Sequence, residues 1–411
     1  MRHRPPLAVM AALLLAFAWA FWLGWITRHI RVATEDDLFG LAIRASPGAL
    51  RSAVLTEAID GRIYGPVKWN GLRLYYSLAA PAALGLARGG LNVAMMAVTG
   101  LVLWRFTCSA VATALGLLIF GALSSLHYGY QPLLSNPLLL IGAMSANLAI
   151  LLLRPDGRSP IPAWIAFTCA LAMHEDFLMW LPLLAWAACS GQQPARARSR
   201  LAPFLVIAGT YLGLYLWVRH QGVATGRVYS GTELAPALKS SVEALWRYSI
   251  SSLSPLRIFS RMFPFAATAA PLSAAEAGRR LAAQLGPGGW TAAAGTALLA
   301  VRLWWVAPPR RIKFPLGLGA AMLFLPNLPI ALTGRYQAWA HLHRFPYYYS
   351  SLGLTWVALS LAAAATAGRP QALGRRILLG LALALGLFWS SATAISLTYE
   401  ALADFSRQSY G

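Results

Sequence analysis

The feature that most constrains this chain is a series of long apolar runs with little charge between them. The first run extends from Leu7 to Ile26 and contains no charged residue. A helix of about 20 apolar residues is long enough to cross the hydrocarbon core of a bilayer. Only 11% of the residues are charged, whereas a soluble domain carries roughly 25%. We therefore predict an all-α fold, that of a polytopic integral membrane protein.

The apolar runs predict about eleven transmembrane helices. A cleavable signal peptide is the alternative for the first run, with Ala18-Trp19-Ala20 as its cleavage site, but the run continues to Ile26 and favours a retained helix. Residues 72–87 are apolar but short, so we expect an interfacial or re-entrant segment. The predicted spans are about 7–26, 90–106, 109–126, 137–153, 161–174, 177–190, 202–218, 290–306, 314–332, 346–367 and 376–397.

The charges between these runs predict the orientation. With the N-terminus in the cytoplasm, every inside turn is basic, as the positive-inside rule requires. Only Asp156 of the 13 acidic residues lies in an inside turn. The net charge of +21 is scattered between apolar runs, which does not favour a partner made of nucleic acid. The basic residues of the inside turns are Arg105, Arg154, Arg158, Arg196, Arg198, Arg200, Arg310, Arg311, Lys313, Arg369, Arg375 and Arg376.

Residues 1–411 form a single predicted transmembrane domain with two long outer loops, 27–89 and 219–289. Each loop carries a pattern typical of an amphipathic helix on the membrane surface. In the first loop, Ser46-Pro47 predicts a helix start and Gly61 a stop. The apolar faces are Leu50, Val54, Leu55 and Ile59 in the first helix, and Leu238, Val242, Leu245 and Trp246 in the second, where Lys239, Glu243 and Arg247 follow at four-residue steps on another face.

Three polar clusters on the predicted outer side are candidates for chemistry. The first is Glu35-Asp36-Asp37. Repulsion between these adjacent carboxylates raises the pKa of at least one of them or favours binding of a cation, and the alternative is an acidic turn exposed to water. The second is His174-Glu175-Asp176 between two apolar runs, where ionisable residues indicate function unless the turn is simply hydrated. The third lies within 335–349 and contains His343, Arg344 and Tyr348, which suit phosphate and an apolar chain or an interfacial aromatic belt.

Signatures of other enzyme classes are missing from the sequence. It contains no GxSxG, HExxH or Walker A pattern, so a hydrolase or an ATPase has no support. Cys108, Cys169 and Cys189 form no CxxC pair, and we expect them to be small buried apolar residues.

In this order, the motifs resemble the GT-C class of membrane glycosyltransferases, and more narrowly the protein O-mannosyltransferases and bacterial relatives of the transmembrane-TPR mannosyltransferases. The resemblance departs at His343, where the family has Glu, at His174, where it has Lys, and in the absence of TPR repeats. The matching positions are Glu35-Asp36-Asp37 after the first span, the helix at 46–61, Asn92, Leu126-His127-Tyr128, His174-Glu175-Asp176 before Pro182-Leu183-Leu184, and the run from His343 to Leu354.

The resemblance implies transfer of a sugar from a polyprenyl-phosphate donor to a lipid, glycan or protein acceptor, at the periplasmic face of a bacterial inner membrane. It implies that Asp36 or Asp37 is the catalytic base and that Arg344 neutralises the departing phosphate. A divalent cation, Mg²⁺ or Mn²⁺, has Asp37, Glu175 and Asp176 as candidate ligands. The implied substrate-binding residues are Glu35, His174, Glu175, Asp176, His343, Arg344 and Tyr348.

Two other functions are compatible with the pattern. An O-antigen ligase or polymerase also acts outside the cytoplasm, and it would depend on Arg and His rather than on Asp36 and Asp37. A polyprenyl-lipid transporter would place charges inside the spans, and the predicted spans contain few.

A reporter fused after Gly411 should lie outside the cytoplasm, because an odd number of spans separates the C-terminus from a cytoplasmic N-terminus. Alkaline phosphatase should therefore be active in that fusion, and a fusion after Arg158 should be inactive. A cytoplasmic signal from the fusion after Gly411 would contradict the odd number of spans.

Overall fold

The structure, a computed structural model of the chain, describes ten continuous segments and a few shorter pieces. Of the described residues, 93% are helical and none lies in a strand, which confirms the prediction of an all-α fold. The segments are 7–26, 46–59, 65–78, 81–128, 137–153, 159–189, 194–224, 237–251, 316–341 and 352–366, and the pieces are 44, 235, 294–295, 298–299, 301–303 and 305–306.

The α-helices are α1 Leu7–Ile26, α2 Pro47–Ile59, α3 Gly65–Tyr76, α4 Pro81–Thr107, α5 Ala110–Tyr128, α6 Pro137–Leu152, α7 Ile161–Met173, α8 Leu181–Cys189, α9 Pro194–Ala224, α10 Leu238–Ser251, α11 Leu316–Phe324, α12 Leu328–Ala331, α13 Gly334–His341 and α14 Leu354–Thr366. Helices α1, α5, α6 and α7 begin and end within two residues of the predicted boundaries, whereas α4 begins nine residues before the predicted 90–106 and α9 extends beyond the predicted 202–218 at both ends. A 3-10 helix, Glu175–Trp180, links α7 to α8, and a 3-10 turn, Leu325–Asn327, links α11 to α12.

One end of the bundle, the Arg105 end, is defined by the contacts of Arg105 near the end of α4. Its guanidinium donates to the carbonyls of Ile150 (3.3 Å), Leu151 and Leu153 (2.7 Å) in the last turn of α6. These carbonyls have no partner within the helix, and a cation there also interacts favourably with the helix dipole. The C-terminal ends of α4 and α6 therefore meet at this end.

The opposite end, the His174 end, contains the C-terminal ends of α1 and α7 and the N-terminal ends of α4 and α6. Gly24 of α1 lies so close to α4 that a Cβ atom there would be 2.2 Å from the backbone nitrogen of Gly89. Two glycines thus allow the helix backbones to touch, as small residues do in membrane helix pairs. At the same end, a Cβ on Gly142 of α6 would be 2.3 Å from the Phe177 ring.

A buried polar network ties the middle of the bundle together around Asn147 of α6. Its side-chain oxygen accepts hydrogen bonds from the indoles of Trp356 (3.0 Å) and Trp180 (3.4 Å). Its amide donates to the Thr355 hydroxyl (3.3 Å), which in turn lies 3.0 Å from the Thr99 hydroxyl. All five residues are fully buried. The network therefore connects α4, α6, the 3-10 helix and α14.

The described surface is strongly apolar along α9. Val206 and Trp217 are 66% and 62% exposed, and Leu205, Leu212, Leu214 and Leu216 are each about half exposed. Soluble monomers rarely expose a continuous apolar stripe of this kind. Two helical stretches in the described part, Ala82–Thr107 and Ala197–Gln221, are long and apolar enough to cross a membrane, and six shorter apolar helices accompany them. These features support a membrane location, and the number of eleven spans stays a prediction.

Four details differ from the sequence-based expectations. Residues 72–87 are not one segment, because α3 ends at Tyr76 and α4 begins at Pro81, a residue suited to a first helical turn. The stretch 177–190 holds part of a 3-10 helix and only nine residues of α-helix. On α10, Leu245 packs on the core while Leu238, Val242 and Trp246 are exposed. Cys108, Cys169 and Cys189 are exposed, on connections or outward faces.

Replacing Asn147 by Ala should destabilise the fold by roughly 1–3 kcal/mol, because two buried indole N–H groups and a hydroxyl lose their partner. Asn92→Ala is the matched control: Asn92 is also buried in a helix, but its amide nitrogen has no hydrogen-bond partner among the described residues. It should cost less than about 1 kcal/mol. Thermal unfolding in detergent, followed by tryptophan fluorescence, measures both variants, and equal losses would contradict the role given to Asn147.

Candidate functional site

The chain reverses direction at the His174 end through His174-Glu175-Asp176. Helix α7 ends at Met173, and His174 adopts an extended backbone conformation, with φ −165° and ψ 147°. It then caps the 3-10 helix, since its Nδ1 accepts a hydrogen bond from the Asp176 N–H at 3.4 Å. Phe177 and Trp180 are fully buried and attach the turn to the core. The three polar side chains are therefore held on a rigid support.

The three side chains form one compact acid–imidazole group. His174 Nδ1 lies 3.3 Å from Asp176 Oδ2 and 3.7 Å from Glu175 Oε2. The Asp176 side chain is 2% exposed and that of Glu175 is 22% exposed. Both of these carboxyl oxygens are buried, and neither has a hydrogen-bond partner among the described residues. Buried polar atoms in native proteins are normally hydrogen-bonded, so these two oxygens call for an explanation.

Burial has the largest effect on the pKa of Asp176. It raises the pKa of the Asp176 carboxyl from 3.8 to about 6, against the opposing effect of His174, while Glu175 adds to the rise. Because His174 and Asp176 face each other at 3.3 Å, a proton on either one can be shared between them. The pair can thus hold or release a proton near neutral pH, as a general acid or base must.

Helix α9 brings one further polar side chain near this group. Tyr211 is close enough to Glu175 and Asp176 for their charges to act on its hydroxyl, and Tyr215 lies on the far side of Tyr211 along the helix. One turn further along, Tyr215 accepts a 2.7 Å hydrogen bond from Arg219. Sequence analysis did not single out Tyr211 or Tyr215. Their four-residue spacing, from Tyr211 to Tyr215 to Arg219, could have indicated a polar stripe on one face of an otherwise apolar helix.

The first long loop packs against the same end. In it, Arg88 is almost fully buried and donates to the Tyr75 hydroxyl at 2.6 Å, and Lys68 lies over the Trp69 ring at 4.5 Å. Sequence analysis missed both cations, although a lone Arg inside an apolar run was a signal. The apolar cluster that joins α3 to α4, α6 and the end of α7 contains Trp69, Leu72, Tyr75, Tyr76, Leu84 and Leu138, with Met173 packed against it.

The second long loop docks on the segment that leads into the third predicted cluster. Tyr248 of α10 donates to the Tyr336 carbonyl, and Gln337 donates to Ser241 at 3.0 Å. Arg247 pairs with Glu243 at 2.6 Å, as the four-residue spacing predicted, and also donates to the Ala340 carbonyl. The 3-10 turn Leu325–Asn327 contacts the 3-10 helix that begins at Glu175. The described parts of both long loops therefore pack toward the His174 end of the bundle.

Of the predicted site residues, the structure describes His174, Glu175 and Asp176 and brings them together. The acidic cluster Glu35-Asp36-Asp37 and the residues His343, Arg344 and Tyr348 lie outside the described residues. A site shared by the first two clusters therefore stays a prediction, as do the roles of the third.

The described side chains do not form a metal centre by themselves. Within the described segments, no group of three or more His, Cys, Asp or Glu residues could hold a metal ion. Glu175 and Asp176 would need a further ligand, such as the predicted Asp37, to bind Mg²⁺ or Mn²⁺, which prefer several oxygen ligands.

Comparison of the chain with protein-family models, with curated proteins and with solved structures gave no match.

The raised pKa of Asp176 predicts a pH-dependent stability. Because the folded state favours the protonated acid, this contribution is complete below pH 3.8 and is lost as the pH rises through about 6. The loss is at most roughly 3 kcal/mol, at about 1.4 kcal/mol per pKa unit. Asp176→Asn should abolish this loss between pH 4 and pH 7, as measured by chemical unfolding in detergent.

His174→Gln provides a second check on the same group. It removes the side chain that lowers the Asp176 pKa, so the stability loss should move to higher pH. A pH profile unchanged in both variants would contradict the buried, proton-sharing state of Asp176.

Proposed function

We propose that this protein is a membrane glycosyltransferase of GT-C type, with about eleven transmembrane helices, which moves a sugar from a polyprenyl-phosphate donor to a lipid, glycan or protein acceptor. The single observation that carries the proposal is the pair of buried carboxyl oxygens of Glu175 and Asp176, which have no hydrogen-bond partner among the described residues. Carboxylates in such a position suit hydroxyl groups, which donate hydrogen bonds.

The surroundings of these carboxyls support the same chemistry. The described parts of both long loops pack toward the end of the bundle where the carboxyls lie, and they carry aromatic side chains such as Trp69 and Tyr75. Exposed apolar side chains along α9 lead up to this end, which suits a substrate whose tail is a lipid. A soluble sugar donor would not require such a surface.

In the proposed reaction, Asp36 or Asp37 takes the proton of the acceptor hydroxyl. The acceptor oxygen then forms a bond to the anomeric carbon of the sugar, and the bond between that carbon and the phosphate oxygen breaks. Polyprenyl phosphate leaves with the electron pair, and Arg344 neutralises its charge. Glu175 and Asp176 orient the acceptor or, with Asp37, hold a divalent cation. The residues proposed to line the rest of the site are Glu35, His174, His343 and Tyr348.

The orientation of the charges supports a reaction on the side away from the cytoplasm, in the inner membrane of a bacterium. The sequence predicts all three clusters on the side opposite the basic turns, and in the described bundle Arg105 and His174 lie at opposite ends. Nucleotide sugars are cytosolic, so a donor carried by a polyprenyl phosphate fits a site on that side.

Amide variants test the proposed base. One of Asp36→Asn and Asp37→Asn, with Asp36 favoured, should reduce sugar transfer by about 10²–10⁴-fold, because an amide cannot accept the proton. Arg344→Ala should weaken donor binding and slow the departure of phosphate, and Lys should substitute poorly because it cannot form the bidentate pair. The measurement is transfer from a polyprenyl-phosphate sugar by purified variants.

Glu243→Gln is the control for these variants, because Glu243 forms a partly exposed ion pair with Arg247 on α10 and has no proposed role in transfer. It should transfer sugar like the wild type. If both Asn variants do so too while Arg344→Ala is inactive, the early acidic cluster is a solvated turn and the ligase-like function is favoured.

A further inference from the structure

Three buried oxygen atoms without a hydrogen-bond partner belong to neighbouring side chains from two separate elements. Glu175 Oε2 and Asp176 Oδ2 come from the turn after α7, and the Tyr211 hydroxyl comes from α9. Tyr211 is close enough to interact electrostatically with both carboxyls, yet it makes no hydrogen bond to either. An unmade hydrogen bond on a buried polar group costs stability, so three such groups at the same end of the bundle indicate a purpose other than folding.

The position of Tyr211 follows from the packed face of α9. Phe204 is fully buried and meets Phe167 of α7 edge-on at 5.6 Å. Ala208, also buried, lies four residues later on the same face, and Tyr211 continues that face toward the His174 end. At the start of the helix, the Trp164 indole donates to the Arg200 carbonyl. Packing along two turns of helix thus places Tyr211 at the level of Glu175 and Asp176, where their charges act on its hydroxyl.

We propose that Tyr211, Glu175 and Asp176 together form a binding site for the hydroxyl groups of a sugar, in which Tyr211 is a positioning residue that sets the orientation of the bound ring. This inference rests on the proposed function for the identity of the ligand as a sugar. It adds a residue that neither the sequence motifs nor the resemblance contains.

The chemistry of the three groups favours a sugar over a metal ion. Two carboxyl oxygens accept hydrogen bonds and the phenol can donate one as well as accept one, which matches adjacent hydroxyls that do both. A divalent cation would prefer more oxygen ligands than this group supplies, and the described residues contain no metal-binding set of three. His174, 3.3 Å from Asp176, also already supplies an imidazole that can carry a compensating positive charge.

A matched pair of tyrosines makes the inference testable. Tyr211→Phe removes only the unpartnered hydroxyl, so the ligand-free protein should unfold at the same temperature or higher. Tyr215→Phe removes a hydroxyl that already accepts a hydrogen bond from Arg219 at 2.7 Å, four residues along the same helix. It should lower the unfolding temperature slightly and leave sugar binding unchanged.

The probes are the methyl glycosides of glucose, mannose, galactose and arabinose, together with MgCl₂, added to purified protein in detergent. At least one glycoside should raise the unfolding temperature of the wild type and of Tyr215→Phe. Tyr211→Phe should bind that glycoside about tenfold more weakly, the effect of one lost hydrogen bond. Glu175→Gln should weaken binding too, since an amide replaces a carboxylate acceptor by a poorer one.

Several results would overturn the inference. The first is that no glycoside stabilises the protein, or that Mg²⁺ alone does. The second is that Tyr211→Phe and the wild type bind the glycoside equally well. The third is a lower unfolding temperature of ligand-free Tyr211→Phe, which would indicate that the hydroxyl has a purely structural role. The transfer assay separates the two proposals. If Asp36→Asn or Asp37→Asn loses transfer while Tyr211→Phe binds normally, the function stands without this site. If a glycoside binds through Tyr211 but no donor is used, the site stands without the function.

Discussion

The arrangement of this bundle depends on the side chain of Asn147. In an interior made almost entirely of apolar side chains, packing alone allows helices to slide and rotate past one another, because one leucine contact is much like the next. A buried amide does not allow this freedom, since each of its hydrogen bonds is directional. Asn147 accepts from Trp180 and Trp356 and donates to Thr355, so it determines the mutual positions of three elements.

The same network holds the candidate site. Trp180 is the last residue of the 3-10 helix that begins with Glu175, and Phe177 of that helix presses on Gly142 of α6. The polar turn is therefore held by side chains in the interior of the bundle. Rigid support of this kind is what a site needs in order to hold a ligand in one orientation.

The candidate site contains buried oxygens without hydrogen-bond partners, whereas the side chains of the Asn147 network are hydrogen-bonded to one another. The two sets of groups therefore differ in their effect on stability. Hydrogen bonds in the network lower the free energy of the folded state, and the open oxygens of Glu175, Asp176 and Tyr211 raise it until a partner arrives. Burial also raises the pKa of Asp176, because a carboxyl removed from water prefers to keep its proton, and the nearby His174 opposes this rise only in part.

The sequence by itself determined the helical class, the bounds of α1, α5, α6 and α7 to within two residues, the cap of α2 at Ser46 and the place of His174-Glu175-Asp176 between two helices. These depend on local properties: the length of an apolar run, a capping residue, and the cost of charge next to apolar segments. Only the tertiary structure decided that Tyr211 lies near those carboxyls, that Arg88 reaches Tyr75, and that Asn147 joins helices more than 200 residues apart in sequence. A single tyrosine or asparagine in an apolar run has no local pattern that names its partner, because the partner is chosen by how distant helices pack.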